Sequence, residues 1–214
     1  INSKYNLAKS YDYLGNYFLK TFVLDSALYY LNKSEKIFRN KNNHQYLSFN
    51  YSSKANIYTY ISDYNKALEY NFQALEQAQE LNNGLPVLLA YRSVFTTLGE
   101  LNQPKKAFNY NQKSIAILGD NKQELGEYYF SYEAQVHNNM GSVYLKTEDY
   151  NKAQKLYQKG LKVKQIKNIF PSLYAALLDN LTYTRYKSGD TANVKQNLER
   201  ALFLKDSLNK PAIA

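Results

Sequence analysis

The chain has 214 residues, with 27 Lys and Arg against 18 Asp and Glu for a formal charge of +9, and 44% of its residues are hydrophobic. That fits one folded domain or two small ones, and 8 Gly with 4 Pro argue against a turn-dense β fold, a collagen-like repeat or a flexible linker. The absence of Cys excludes disulfide scaffolds, Cys-ligated zinc and thiol catalysis, and no apolar run reaches the roughly 18 to 20 residues of a membrane span.

Helical pairs follow one another along the chain. Asp25-Ser-Ala-Leu-Tyr-Tyr, Asp63-Tyr-Asn-Lys-Ala-Leu-Glu-Tyr, Pro104-Lys-Lys-Ala-Phe-Asn-Tyr and Asp149-Tyr-Asn-Lys-Ala-Gln-Lys-Leu-Tyr align on Ala27, Ala67, Ala107 and Ala153. A fifth copy places Val194 at the same point, and the spacings are 40, 40, 46 and 41. Twelve residues before each anchor stand Gly15, Ala55, Phe95, Gly141 and Thr182; seven after it stand Ser34, Ala74, Ser114, Gly160 and Ala201. Small side chains recurring in this way let antiparallel helices approach closely, while large residues three and four positions away, such as Tyr11, Tyr51, Tyr58, Tyr91 and Tyr144, fill the space beside them. Asp63, Asp149 and Asp190 are placed to cap second helices, and Pro86, Pro104 and Pro171 suit first turns. Gly84 and Gly119 lie where helices should end. Phe95 and Arg185 depart from the pattern; the first should splay its hairpin or be accommodated by a shifted neighbour. The spacing predicts hairpins over about 4–40, 44–82, 85–119, 123–167 and 171–208 within a single domain, 1–214.

His137-Asn-Asn-Met-Gly-Ser-Val-Tyr-Leu-Lys-Thr-Glu-Asp-Tyr-Asn-Lys-Ala153 carries the pattern most fully, and with it the chain resembles the tetratricopeptide repeat (TPR) family. The likeness runs from about residue 4 to 208, with a period near 40 instead of the family's 34. Long-period TPRs of this kind are similar to the sensor regions of bacterial TPR-containing histidine kinases and transcription regulators, and abundant Asn, Lys and Tyr agree with an AT-rich bacterial source. The resemblance implies an all-α, right-handed α-solenoid of about five TPR-like hairpins, with first helices lining a concave groove. It also implies a soluble segment of a larger protein, in the cytoplasm or periplasm of a bacterium; an opening Ile in place of Met agrees with an excised segment.

On the family's register, inner-facing positions lie six and three residues before the first small position and one, four and five after it. They place Asn16, Asn56, Tyr60, Arg92, Asn138, Tyr183 and Tyr186 on the groove as ligand-binding candidates. Asn offers a donor and an acceptor on one short side chain, so Asn16, Asn56 and Asn138 could hold the peptide groups of an extended segment. Arg92 could pair with a carboxylate, and the tyrosines give rigid amphipathic contact. The arrangement resembles a carboxylate clamp at Asn16, Asn56 and Arg92, but Asp12 and Thr96 replace two of its basic residues.

Lys152, Lys155, Lys159 and Lys162 form a basic stripe continued by Lys164 and Lys167. A solvated outer face is the ordinary reading; binding of nucleic acid or an anionic surface is the alternative, disfavoured because Lys lacks the bidentate geometry by which bases are read. His44 and His137 stand apart from other ligand types, and no phosphate loop, nucleophile elbow or HExxH appears, so neither catalysis, a metal nor a cofactor is expected. The expected partners are a peptide or protein segment in the groove and, through the terminal repeat, a second copy of the chain.

Overall fold

The structure, a computed structural model, describes residues 2–81, 83–191 and 194–209. The chain divides into two compact units, Ile1–Lys113 and Ser114–Ala214. The first holds α1 (Asn2–Lys20), α2 (Leu24–Arg39), α3 (His44–Tyr60), α4 (Tyr64–Gln79), α5 (Gly84–Glu100) and the first part of α6 (Pro104–Asp120). The second holds the rest of α6, then α7 (Lys122–Leu125), α8 (Tyr128–Lys146), α9 (Tyr150–Leu161), α10 (Ile166–Ile169), α11 (Pro171–Lys187) and α12 (Val194–Asn209). Among the described residues the secondary structure is all helical, as expected, and α1 with α2, α3 with α4, α8 with α9 and α11 with α12 pack as hairpins.

One turn, used five times, closes the hairpins. Seven residues after each first small position the backbone enters the left-handed region: Phe22 (φ 59°), Ser62 (61°), Asn102 (53°), Glu148 (59°) and Gly189 (78°). The next residue's N–H then reaches back to a carbonyl five residues earlier, Val23 to Phe18, Asp63 to Tyr58, Gln103 to Leu98 and Asp149 to Tyr144 at 2.9 Å, and Asp190 to Arg185 at 3.0 Å. This satisfies carbonyls that the helix end leaves open and turns the chain sharply enough for the second helix to fold back. Asp63 and Asp149 then cap α4 and α9, accepting from the N–H groups of Lys66 (3.1 Å) and Lys152 (3.2 Å). Residues 192 and 193, between Asp190 and α12, lie outside the described residues, and the third expected cap falls there. Pro171 opens α11 as expected. Gly84 does not end a helix: it opens α5, where the Asn83 side chain accepts from the Leu85 N–H at 2.9 Å.

Close helix contact is visible at the small positions, all of which are buried except Val194, which is half-buried. A Cβ on Gly141 would stand 2.6 Å from Cε1 of Tyr157, and one on Gly160 would stand 2.7 Å from Cδ2 of Leu177. The first contact holds α8 against α9 within a hairpin; the second holds α9 against the first helix of the next hairpin. Phe95 is accommodated in the core at 3% exposure, among Val94, Leu98 and other buried residues of α5. Tyr51 and Tyr91 are buried and Tyr11, Tyr58 and Tyr144 half-buried, with Tyr58 stacked on Tyr70 at 5.4 Å. In the second unit Tyr157, Leu177, Leu178 and Leu181 form a core with Ala134, Ala153 and Ala201.

Candidate ligand-binding surface

Each first helix carries the same pattern of small and large positions. On α3, Leu47, Asn50, Ser53, Lys54 and Ile57 are buried, and three of them bond to the preceding hairpin. Asn50 Nδ2 donates to the Leu31 carbonyl (3.0 Å) and to Asp12 Oδ1 (3.3 Å); Ser53 Oγ donates to Asn16 Oδ1 (2.7 Å); Lys54 Nζ pairs with Glu35. The residues that this packing leaves outward are the ones available to a ligand.

In the first unit the candidates take different roles. Asn16 is half-buried and fully engaged: its Nδ2 donates to the Asp12 carbonyl (2.9 Å) and Asp12 Oδ2 (3.2 Å), and its Oδ1 accepts from Ser53. It links two repeats. Asn56 is exposed, as is Tyr60, whose ring meets Phe22 edge-on at 5.2 Å. Arg92 is half-buried on α5. The Asp12 carboxyl is driven up from its ordinary range by burial, a rise opposed by the hydrogen bonds from Asn50 and Asn16.

In the second unit Asn138 is also a junction, its Oδ1 accepting from Asn180 Nδ2 at 2.9 Å. Tyr183 and Tyr186 are exposed and line a cleft of about 500 Å³ together with Asp179 and Thr182 of α11 and Val194, Leu198 and Leu202 of α12. Lys187 Nζ lies 5.5 Å from the Tyr183 ring centroid.

Sequence reasoning missed a buried charge cluster in the first unit. Lys54, 1% exposed, pairs with Glu35, which also accepts from Arg39 Nε (2.7 Å) and the Tyr51 hydroxyl (2.9 Å). Burial pushes the Glu35 carboxyl up, and the bonds from Lys54 and Arg39 outweigh it, so the group sits below its usual value. Burial also lowers the Lys54 ammonium, and Glu35 only partly restores it. The signal was a Lys at position 54, one before the small Ala55, on a face otherwise apolar or small. The basic stripe has one paired member, Lys152, which bonds Asp149 (2.6 Å) and lies 5.1 Å from the Tyr144 ring centroid, while Lys155, Lys159, Lys162, Lys164 and Lys167 are exposed. His44 Nδ1 is 3.0 Å from Gln77 Oε1, and burial holds the His137 imidazole below its usual value. No group of three His, Asp or Glu is gathered as metal ligands would be among the described residues. Among them, too, no helix is long and apolar enough to cross a membrane.

No family model matches the sequence, and no curated protein does. Solved structures do match in shape. Aspartyl phosphate phosphatase F from Bacillus subtilis superposes with a TM-score of 0.80 at 18% identity, covering 94% of this chain and 51% of that one. A putative kinesin light chain of Podospora anserina with TPR-like repeats superposes with a TM-score of 0.72 at 12% identity, covering 99% and 100%. NprR, solved in complex with its cognate peptide NprX, superposes with a TM-score of 0.68 at 18% identity, covering 93% and 55%. The chain thus spans about half the length of phosphatase F and NprR. At these identities the likeness speaks for the fold: the chain is a TPR-like helical repeat protein.

Proposed function

We propose that the chain is a non-catalytic scaffold that binds an extended peptide or protein segment against its first helices, as the ligand-sensing or interaction region of a larger bacterial signalling or regulatory protein. The observation that carries this reading is which side chains inter-repeat packing leaves outside. On α3 they are Asn56 and Tyr60; on α11 they are Tyr183 and Tyr186, beside a cleft. Tyrosine contributes a rigid, half-apolar surface with few rotors to fix, which suits it to a contact residue. Arg92, half-buried on α5, adds the charge that an acidic side chain or a chain terminus would meet. The NprR complex supports a peptide as the ligand class.

Asn16 and Asn138 act differently from Asn56. Their amides already join one repeat to the next, so a ligand that competes for them alters a junction as it binds. That couples occupancy to the packing of successive hairpins, which is what a sensing module requires. A peptide selected from a random library on the immobilised chain provides the probe, with affinity measured by calorimetry. Tyr60→Ala with Arg92→Glu, and separately Tyr183→Ala with Tyr186→Ala, should each weaken binding about tenfold or more. Unchanged affinity in both variants would refute the reading.

A second reading, binding of an anionic partner such as nucleic acid, rests on the exposed Lys155, Lys159 and Lys162. It predicts that log affinity falls by about 0.9 per phosphate contacted for each decade of salt.

A further inference from the structure

The five hairpin turns are alike in backbone and unlike in side chains. From five to eight residues after the first small position, the last three read Glu100-Leu101-Asn102-Gln103, Lys146-Thr147-Glu148-Asp149 and Lys187-Ser188-Gly189-Asp190. Their one apolar side chain, Leu101, is half-buried, and the rest suits turns that meet water. The first two read Lys20-Thr21-Phe22-Val23 and Tyr60-Ile61-Ser62-Asp63. Their apolar members stand in solvent, at 66% exposure for Phe22, 45% for Val23, 57% for Tyr60 and 54% for Ile61. The left-handed position is exposed in all five turns, including the four that have a hairpin before them, so Phe22 is exposed by its place in the turn.

Phe22 works against the fold that carries it. A bulky side chain at φ 59° crowds its own backbone, and glycine serves the same position at Gly189. Burial of the ring would offset that cost, but the ring lies in solvent, edge-on to Tyr60 at 5.2 Å. The contact joins two successive turns into one apolar patch, of the kind that marks an interaction surface. Exposed Lys20 and Lys66 stand near it in the chain. The nearby carboxylates, Asp25 in the first turn of α2 and Asp63 at the cap of α4, sit where helix N-termini offset their charge.

We infer that these two turns dock the first unit onto the surface of an anionic phospholipid bilayer. Phe22, Val23 and Ile61 enter the boundary between headgroups and acyl chains, and Tyr60 lies at headgroup level. The size of the patch decides against a protein partner. Four side chains among charged neighbours are too few for a stable interface, which takes about 800 Å² from each side. A second copy or a folded partner must also supply a matching hollow, whereas a bilayer closes around the tip of a turn. Aromatic and aliphatic side chains beside lysine are the composition that the boundary region favours, and the +9 charge of the chain draws it to anionic lipid. The inference goes beyond peptide binding and shares only Tyr60 with it.

Vesicles of phosphatidylcholine with about one third phosphatidylserine are the probe. The wild-type chain should sediment with them, and Phe22→Gly combined with Ile61→Ser should weaken that binding about tenfold or more. Phe22→Gly relieves the left-handed turn, so this variant should unfold at no lower temperature by circular dichroism, which separates a lost contact from a lost structure. Tyr60 and Arg92 are untouched in it, so peptide binding is read independently of lipid. The chain contains no Trp, so Phe22→Trp introduces a single fluorophore at the patch. Its emission should shift to the blue on vesicles and be quenched by brominated acyl chains. Adsorption through the exposed lysines alone would leave the double variant binding like wild type and the new indole unquenched. Either of those results, or a wild-type chain that does not bind the vesicles, would overturn the proposal.

Discussion

Replacing Gly141 with Ala tests the claim that small residues set the helix approach. The new Cβ would meet three ring atoms of Tyr157, Cε1 at 2.6 Å, Cζ at 2.8 Å and Cδ1 at 2.9 Å. Tyr157 is fully buried, with its hydroxyl 3.2 Å from Ser142 Oγ, so the ring cannot swing aside without breaking that contact. Two effects oppose each other. Ala in place of Gly inside a helix gains about 1 kcal/mol of propensity, whereas overpacking a closed site costs about 1–3 kcal/mol. The rigidity of the ring puts the cost near the upper end, for a net loss of about 1–2 kcal/mol. In a Tyr157→Leu background the obstructing Cε1 and Cζ are gone, and the same substitution should stabilise by about 1 kcal/mol through propensity alone. Urea unfolding of all four proteins, followed by circular dichroism, gives the coupling directly, expected at about 2–3 kcal/mol. If Gly141→Ala were neutral in the native background, or shifted both backgrounds equally, close approach of α8 to α9 would not be the reason for glycine there.

Glu148 occupies the left-handed turn position at φ 59°, where Gly189 serves in the last hairpin, so Glu148→Gly should raise stability by about 1 kcal/mol in thermal unfolding despite removing a side chain. Lys54→Met should destabilise the first unit by about 2–3 kcal/mol, less than for a wholly buried pair because Glu35 keeps Arg39 and Tyr51 as partners. The Glu35 carboxyl is held low, so its stabilisation is present above the unfolded value and lost as pH falls through the folded one; Glu35→Gln should flatten acid unfolding curves. Asp12 has the opposite sign: its carboxyl is raised above 3.8 by burial, the folded state holds the proton more tightly, and stability falls as pH rises through that window. Asp12→Asn should remove that decline, measured as urea midpoint against pH.

The fold was legible because one physical requirement, close contact between helices, recurs at a fixed period and can be filled by few residue types. Ala27, Ala67, Ala107 and Ala153 are all fully buried, and an alignment of one sequence with itself was enough to find them. The hairpin turns were not legible, because the left-handed position is held by Phe, Ser, Asn, Glu and Gly, and only the last announces itself. Here the periodic demand falls on the backbone, and the 6→1 hydrogen bond of each turn compensates for an unsuitable side chain. The candidate site was half legible for a related reason. Register alone says that a residue lies on the first helix's inner side, but it cannot separate Asn56, which faces outward, from Asn16 and Asn138, whose amides have been taken by Ser53 and Asn180 of a neighbouring repeat. Polar partners come from a different repeat whose own residues vary from copy to copy, so whether a first-helix Asn is left exposed or serves as a joint is decided by pairs about forty residues apart. A solenoid therefore makes its architecture repetitive and its binding surface individual, and it is at those individual pairs that a ligand can exchange places with the protein's own contacts.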